Sequence, residues 1–272
     1  METMMAGANQ PIGILDSGVG GLSVVREIQR LLPAEELLYV GDSAWCPYGT
    51  KSAEEIQRRV FAIADALIGR GCKMLVIACN SATIAAVEAL RVAYPLPIVG
   101  MEPGVRPAVE RTSSGVVGVF ATEASIRGEK FHRLLDHHAD KVRVITKPCP
   151  EFVELVEAGE LVGERAVTVV RSYVDPMLEE GVDVLVLGCT HYPFLRPLIE
   201  AAAGDAADVI DTGAAVARQV QRRLEGEGLL VVSPSRGGLR VFTTGDVAHW
   251  QELAPRLLHD DVEVESIAIE EN

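Results

Sequence analysis

Residues Gly71 to Thr83 read Gly-Cys-Lys-Met-Leu-Val-Ile-Ala-Cys-Asn-Ser-Ala-Thr. Met74 to Ala78 is an apolar run long enough for one buried strand. It ends on small polar groups, Cys79, Asn80, Ser81 and Thr83, and a helical spacing of Ile84, Val87, Leu90 and Arg91 follows at once. A buried strand that stops on polar residues and turns into a helix is where open α/β sheets place ligands. The chain repeats this edge 110 positions later. Gly181 to Pro193 reads Gly-Val-Asp-Val-Leu-Val-Leu-Gly-Cys-Thr-His-Tyr-Pro, which aligns Gly71 with Gly181, Leu75 with Leu185, Val76 with Val186 and Cys79 with Cys189.

Upstream of the first edge, Pro11 to Leu15 reads as a strand that runs into Asp16-Ser17-Gly18-Val19-Gly20-Gly21. A helix with Leu22, Val25, Ile28 and Leu32 follows, and Pro33 stops it. Glu36 to Val40 is a second strand, Trp45-Cys46-Pro47-Tyr48-Gly49 is a turn-rich loop, and Glu54 to Ile68 has helical spacing. Ile98 to Gly100 is a further short strand. Gly115 to Ala121 opens a second half, with Thr122 standing where Asp16 stands, at an offset of 106. Two anchor points at nearly one offset indicate duplicated α/β halves. Within that half a helix is expected over Lys130 to Leu135, a strand over Val142 to Thr146, helices over Pro150 to Val156 and Glu164 to Glu180, and a strand over Ala207 to Ile210. The tail offers a helix over Ala214 to Leu224, a strand over Leu239 to Thr243, a helix over Val247 to Leu258, and an acidic edge strand within Val262 to Ile269. Strands alternating with helices throughout predict two doubly wound α/β domains of mainly parallel sheet, facing each other across a cleft. The expected division is 1–102 plus 212–272 for the first domain and 103–211 for the second.

With 272 residues, 48% of them hydrophobic, the chain can bury a sizeable core. A net charge of −14 argues against an electrostatic hold on nucleic acid or an anionic membrane. Five cysteines at scattered spacings, with no CxxC pair, fit a reducing compartment better than a disulfide framework or a zinc ribbon. Met1 to Gln10 has neither a basic start nor an apolar core, and no apolar run approaches the ~18 residues of a membrane span. The expected address is the cytoplasm.

One cysteine at a strand end is usually a small hydrophobe. Two, at equivalent points of facing halves and each followed by hydrogen-bonding groups, have a further use. One thiolate can remove a proton from carbon while a thiol on the opposite face returns one. A carbon held between them, in contact at about 3–3.5 Å on each side, puts the sulfurs roughly 6–8 Å apart. His191 lies two residues past Cys189; if strand geometry continues, both side chains point to one side, where His191 can take the thiol proton or stabilise the thiolate. Asp16 ends the first strand and serves as proton acceptor, as partner for a substrate ammonium, or as an ordinary cap on the glycine-rich turn. That turn lacks the third glycine of a dinucleotide fingerprint, Ser23 standing there. Its N–H groups at a helix start suit an anion, as do the Asn80-Ser81 and Thr190-His191 turns. Cys46, Cys72 and Cys149 read as structural, and His137 and His138 as part of a solvated helix end.

Asp16 to Ser23, Pro47-Tyr48-Gly49, Ala78 to Thr83, Gly188 to Pro193 and Phe242-Thr243-Thr244-Gly245-Asp246 together resemble the glutamate racemase family, within the aspartate/glutamate racemase superfamily. The resemblance covers about Pro11 to Ile269. It implies a cofactor-independent, metal-free isomerase that interconverts L- and D-glutamate for peptidoglycan synthesis, acting as a homodimer. Cys79 would act on D-glutamate, assisted by Asp16, and Cys189 on L-glutamate, assisted by His191. Glu157 matches a further family acid, although by its own sequence context it is a solvated helix carboxylate. Substrate contacts would fall to Asp16, Ser17, Pro47, Tyr48, Gly49, Asn80, Ser81, Thr122, Thr190 and His191. Ser81 stands where threonine is usual, and Ala121, Ser125 and Gly128 depart from the family pattern around Thr122.

Four other readings compete. An aspartate racemase shares the two-cysteine core. A Cys₂His zinc hydrolase would use Cys79, Cys189 and His191. A pyridoxal-phosphate racemase needs a lysine, and neither strand-end motif contains one. A two-lobed ligand-binding protein would bind glutamate without exchanging its α-proton.

Overall fold

The structure, a computed structural model, describes residues 7–136 and 140–270, so the expectation for His137 and His138 lies outside the described residues. The first half of the chain runs β1 (Ile12–Asp16), α1 (Leu22–Leu31), β2 (Leu37–Gly41), α2 (Ala53–Ile68), β3 (Met74–Ile77), α3 (Asn80–Ala93) and β4 (Ile98–Gly100). The second begins with α4 (Val105–Arg111), β5 (Val116–Ala121), α5 (Glu123–Arg127), α6 (Glu129–Asp136) and β6 (Arg143–Pro148). It continues through α7 (Pro150–Glu157), α8 (Glu164–Glu179), β7 (Val184–Gly188), α9 (Arg196–Ala203) and β8 (Asp208–Ile210). The tail adds α10 (Gly213–Gly226), β9 (Leu239–Thr243), α11 (Val247–Leu258) and β10 (Val264–Ser266).

Among the described residues the strands form two sheets, ordered β10-β9-β2-β1-β3-β4 and β6-β5-β7-β8. Every pairing is parallel. The strands β2-β1-β3-β4 of the larger sheet and the four of the smaller share one winding order, which is the duplication that the repeated edge announced. β1, β2, β3 and β7 are buried along their whole length, as parallel strands covered on both faces must be. Their alternate side chains enter different cores. Ile12, Ile14, Met74 and Val76 join the cluster that continues into the second half, whereas Leu15, Leu75 and Ile77 pack on the opposite face against α2 and α3.

Helices α4, α5 and α9 were not legible in the apolar spacing. They run only 7, 5 and 8 residues, whereas α6 and α7, at 8 residues each, lie where helices were expected. In the tail, three residues of the Val262–Ile269 stretch pair, on the outer side of β9, with Glu265 and Ser266 exposed as suits an edge. No helix among the described residues is long and apolar enough to cross a membrane.

A buried ionic cluster fastens the loop after β2 to its own sheet. Arg59 of α2 grips Asp42 through Nε and Nη2, both at 2.8 Å. Tyr48 donates to the same carboxylate at 2.6 Å and Thr244 at 2.8 Å. Removing one partner from a buried pair leaves an uncompensated charge. Arg59→Leu is therefore expected to lower stability by about 3–5 kcal/mol, measured by urea denaturation. An unchanged midpoint would mean that the tyrosine and threonine hydroxyls suffice for Asp42.

Candidate active site

The carboxyl ends of β1, β3, β5 and β7 meet between the two sheets. Cys79 is extended (φ −141°, ψ 125°) and caps α3, its Sγ accepting the Ala82 N–H at 3.5 Å. The first turn of α3 places Asn80 and Ser81 beside it, and the loop from Pro47 to Gly49 closes one side. Cys189, Thr190 and His191 come from the end of β7, and Thr122 from the end of β5. With Ser17 and Val153, these residues line one enclosed space. The two cysteines of the repeated edges thus open on the same cavity. Its volume is about 10 Å³, on the order of one water. A larger organic molecule needs more room than this.

Behind Cys189 stands a relay. Its Sγ lies 3.6 Å from His191 Nδ1, and His191 Nε2 lies 2.6 Å from Glu157 Oε1. Strand geometry does not carry His191 there, contrary to the expectation from sequence. β7 ends at Gly188, and a turn closed by the Tyr192 N–H on the Cys189 carbonyl (3.2 Å) puts His191 in helical backbone. Glu157, read from sequence as solvated, is mostly buried. It ends α7 one helical turn after Val153, on the same face, which is the signal that could have tied both to the site. Its Oε1 also accepts the Val19 N–H at 2.9 Å. Cys46, read as structural, lies against Glu157 with its Sγ 3.6 Å from Oε1. Cys72 and Cys149 pack within the cores, as expected.

Asp16 is fully buried at the end of β1. Its Oδ2 accepts the N–H groups of Gly18 (3.2 Å) and Gly21 (2.9 Å), and its Oδ1 faces the Thr190 hydroxyl at 3.5 Å. The glycine-rich turn is therefore not an open anion socket. Its Gly18, Val19 and Gly21 donors are held by Asp16 and Glu157, because a carboxylate taken out of water needs such partners. The turn also lies so close to the relay that side chains are excluded: a Cβ on Gly18 would sit 1.9 Å from Glu157 Oε1, and one on Gly20 2.4 Å from His191 Nδ1.

Asn80 is different. Both polar atoms of its buried amide lack a protein partner. Ser81 meets Thr122 across the halves at 2.9 Å, and Thr122 caps α5 through the Ser125 N–H at 3.2 Å. Tyr48 is fixed by the Asp42 cluster, and Ser17 receives the Cys79 thiol at 3.9 Å.

The surroundings give the two cysteines unequal protonation partners. Burial, and then the neighbouring Asp16 charge, push the Cys79 thiol well above its ordinary range. Burial likewise raises the Asp16 carboxyl, against the pull of His191 and the backbone donors. Burial alone would depress His191, but its bonds to Cys189, Cys46 and Glu157 outweigh that and hold the imidazole well above its usual range. Burial would raise Glu157, yet the bond and charge of His191 keep it low.

Facing strand ends and a shared cavity mark an α/β protein of two parallel sheets, with acid–base groups gathered between them. The family model for Asp/Glu/Hydantoin racemases matches residues 12–220. The glutamate racemase of Ectopseudomonas mendocina is 52% identical over 255 residues, spanning 93% of this chain and 97% of that protein. Among solved structures, glutamate racemase isoform RacE1 from Bacillus anthracis superposes with a TM-score of 0.87 at 34% identity, over 96% of this chain and 98% of that one. Escherichia coli glutamate racemase, solved in complex with L-glutamate and the activator UDP-MurNAc-ala, gives 0.86 at 32% identity over 96% and 99%. The chain belongs to the Asp/Glu/Hydantoin racemase family and is an amino-acid racemase, an isomerase.

A methyl group on Gly20 would press on both His191 and Thr190. Gly20→Ala is expected to cut racemase turnover by about 10²-fold through misplacement of the relay, with far-ultraviolet circular dichroism unchanged. Full turnover in that variant would show that the turn can yield.

Proposed function

We propose that this protein interconverts L- and D-glutamate by proton transfer at Cα, with Cys79 and Cys189 on opposite faces of the carbon, and so supplies D-glutamate for peptidoglycan. The observation that carries this reading is that both cysteines line one enclosed space between matched strand ends. The relatives named above are glutamate racemases, which favours glutamate over aspartate. In this reading the domains divide at 1–102 plus 212–272 and 103–211, the chain pairs as a homodimer, and no metal or organic cofactor takes part.

Starting from L-glutamate, Cys189 acts as the base. The His191 imidazolium beside it stabilises the thiolate, and Glu157 holds that imidazolium in place. The Cα proton passes to Cys189 sulfur, leaving a planar carbanion, and Cys79, which reaches the step protonated, delivers its own proton to the opposite face. In the reverse direction Asp16 accepts the Cys79 proton, and Cys79 then takes the one from D-glutamate. The unpartnered Asn80 amide supplies one donor and one acceptor to the substrate, with Ser17, Ser81, Thr122 and Thr190 adding hydroxyls. The Pro47–Gly49 loop closes the cavity over it. Entry requires the halves to separate, since a five-carbon diacid far exceeds the closed volume.

L-Glutamate incubated in deuterium oxide should yield D-glutamate carrying deuterium at Cα. Cys79→Ala and Cys189→Ala should each lose racemisation by at least about 10³-fold, as removal of a general acid or base implies. Turnover retained in either variant would take that cysteine out of the mechanism, and equal turnover of aspartate would redirect the substrate assignment.

Glu157→Gln tests the relay. It removes the carboxylate charge behind one of the bonds that raise His191. The imidazolium, present below its pKa and lost as pH rises through it, should then disappear at lower pH. The alkaline limb of the L-to-D rate profile should move toward acid, with a fall in kcat of roughly 10²-fold. An alkaline limb that stays in place would separate His191 from Glu157.

A further inference from the structure

Beside the relay a third thiol comes within reach of the same carboxylate. One donor atom each from Cys46, Glu157 and His191 lies within 4.8 Å of the other two. Thiolate, carboxylate and imidazole form the mixed donor set that zinc accepts. A tetrahedral zinc with bonds of about 2.0–2.3 Å sets neighbouring donors roughly 3.3–3.6 Å apart. Cys46 Sγ and Glu157 Oε1 already stand at 3.6 Å. His191 Nε2 and Glu157 Oε1, at 2.6 Å, would have to open by about 0.7 Å to reach that spacing. The movement falls to Glu157, whose side chain is 22% exposed, whereas that of His191 is 3% exposed. Cys46 and Glu157 also line a mostly apolar cavity of about 380 Å³ on the outer side of the site. An ion can enter there, and the cavity leaves room for a water as the fourth ligand.

We propose that Cys46, Glu157 and His191 form a binding site for zinc or a similar borderline divalent cation, and that its occupation switches the racemase off. Two protons leave to solvent as the ion binds. One comes from the Cys46 thiol as the sulfur–metal bond forms, the other from Nε2 of the imidazolium as nitrogen takes its place on the metal. The Glu157 carboxylate binds as it stands. His191 keeps its Nδ1 proton toward Cys189 and, with Nε2 on the metal, has no free nitrogen left, so it can no longer take up the Cys189 thiol proton and leave the thiolate. The loss of activity rests on the role proposed for His191; the binding itself rests only on the three donor atoms.

Cobalt(II), added to the purified full-length protein, is the spectroscopic probe. Binding here should produce tetrahedral d–d bands and a thiolate-to-cobalt charge-transfer band, both erased when zinc displaces the ion. Zinc should stop racemisation, and a chelator should restore it. In Cys46→Ala the charge-transfer band should vanish and the zinc concentration for half-inhibition, taken against the variant's own metal-free rate, should rise by at least about tenfold, while an unchanged far-ultraviolet circular dichroism spectrum reports an intact fold. Absence of cobalt bands in the wild-type protein overturns the site. A charge-transfer band that persists in Cys46→Ala also overturns it, by assigning the thiolate to Cys79 or Cys189. Bands that depend on Cys46 in a protein without racemase activity would keep the metal site and sink the functional reading instead.

Discussion

Glu157 Oε1 is the point on which the site turns. It accepts the Val19 N–H from the first half of the chain and meets His191 Nε2 from the second. A carboxylate in so dry a place is tolerable only when its oxygens meet donors, and charge-assisted bonds are the strong ones. The contact therefore does two things together. It fastens the glycine-rich turn of one half onto the other, and it is one of the bonds that raise the proton affinity of the imidazole. Other bonds cross the same seam, among them Ser23 to the Thr190 carbonyl (2.8 Å) and Ser81 to Thr122 (2.9 Å). Both lie just past carboxyl ends of parallel strands or in the first turn of the helix that follows, because there the backbone leaves the sheet and polar groups become available.

The duplicated architecture makes the two cysteines equivalent in position, and their surroundings make them unequal in chemistry. Cys189 has an imidazole behind it and a carboxylate behind that. Cys79 has a helix start, a serine hydroxyl and a buried acid whose charge opposes ionisation. Paired titratable groups in unlike surroundings can divide acid and base roles, and the two-thiol reading proposed above draws on that difference in partners. The same dryness that raises Cys79 strengthens every charge interaction in the cavity.

Much of this was readable from residues alone. The apolar runs ending in Cys79 and Cys189 located two central strands, and their common offset revealed the repeat. The long helices α2, α8 and α11 lie where the sequence placed them. Less visible were the short helices α4, α5 and α9, and residues that act through contacts distant in the chain. Asp42 and Arg59 fix Tyr48 across 17 positions, and Glu157 reaches His191 across 34. A lone carboxylate on a helix gives no sign of such a partner.

The sequence by itself determined which residues end the buried strands, and hence which polar groups stand at the mouth of each half. That follows from hydrophobic periodicity, a local property of neighbouring residues. Only the tertiary structure decided where the donors of the glycine-rich turn would go. In sequence they suit an external anion; in the folded chain Asp16 and Glu157 occupy them. It likewise decided that a turn, rather than continued strand alternation, sets His191 against Cys189. The reason is the same in both cases. Hydrogen-bond satisfaction in a buried site is settled by whatever partner the packing of two lobes brings within reach, and that distance is written nowhere along the chain.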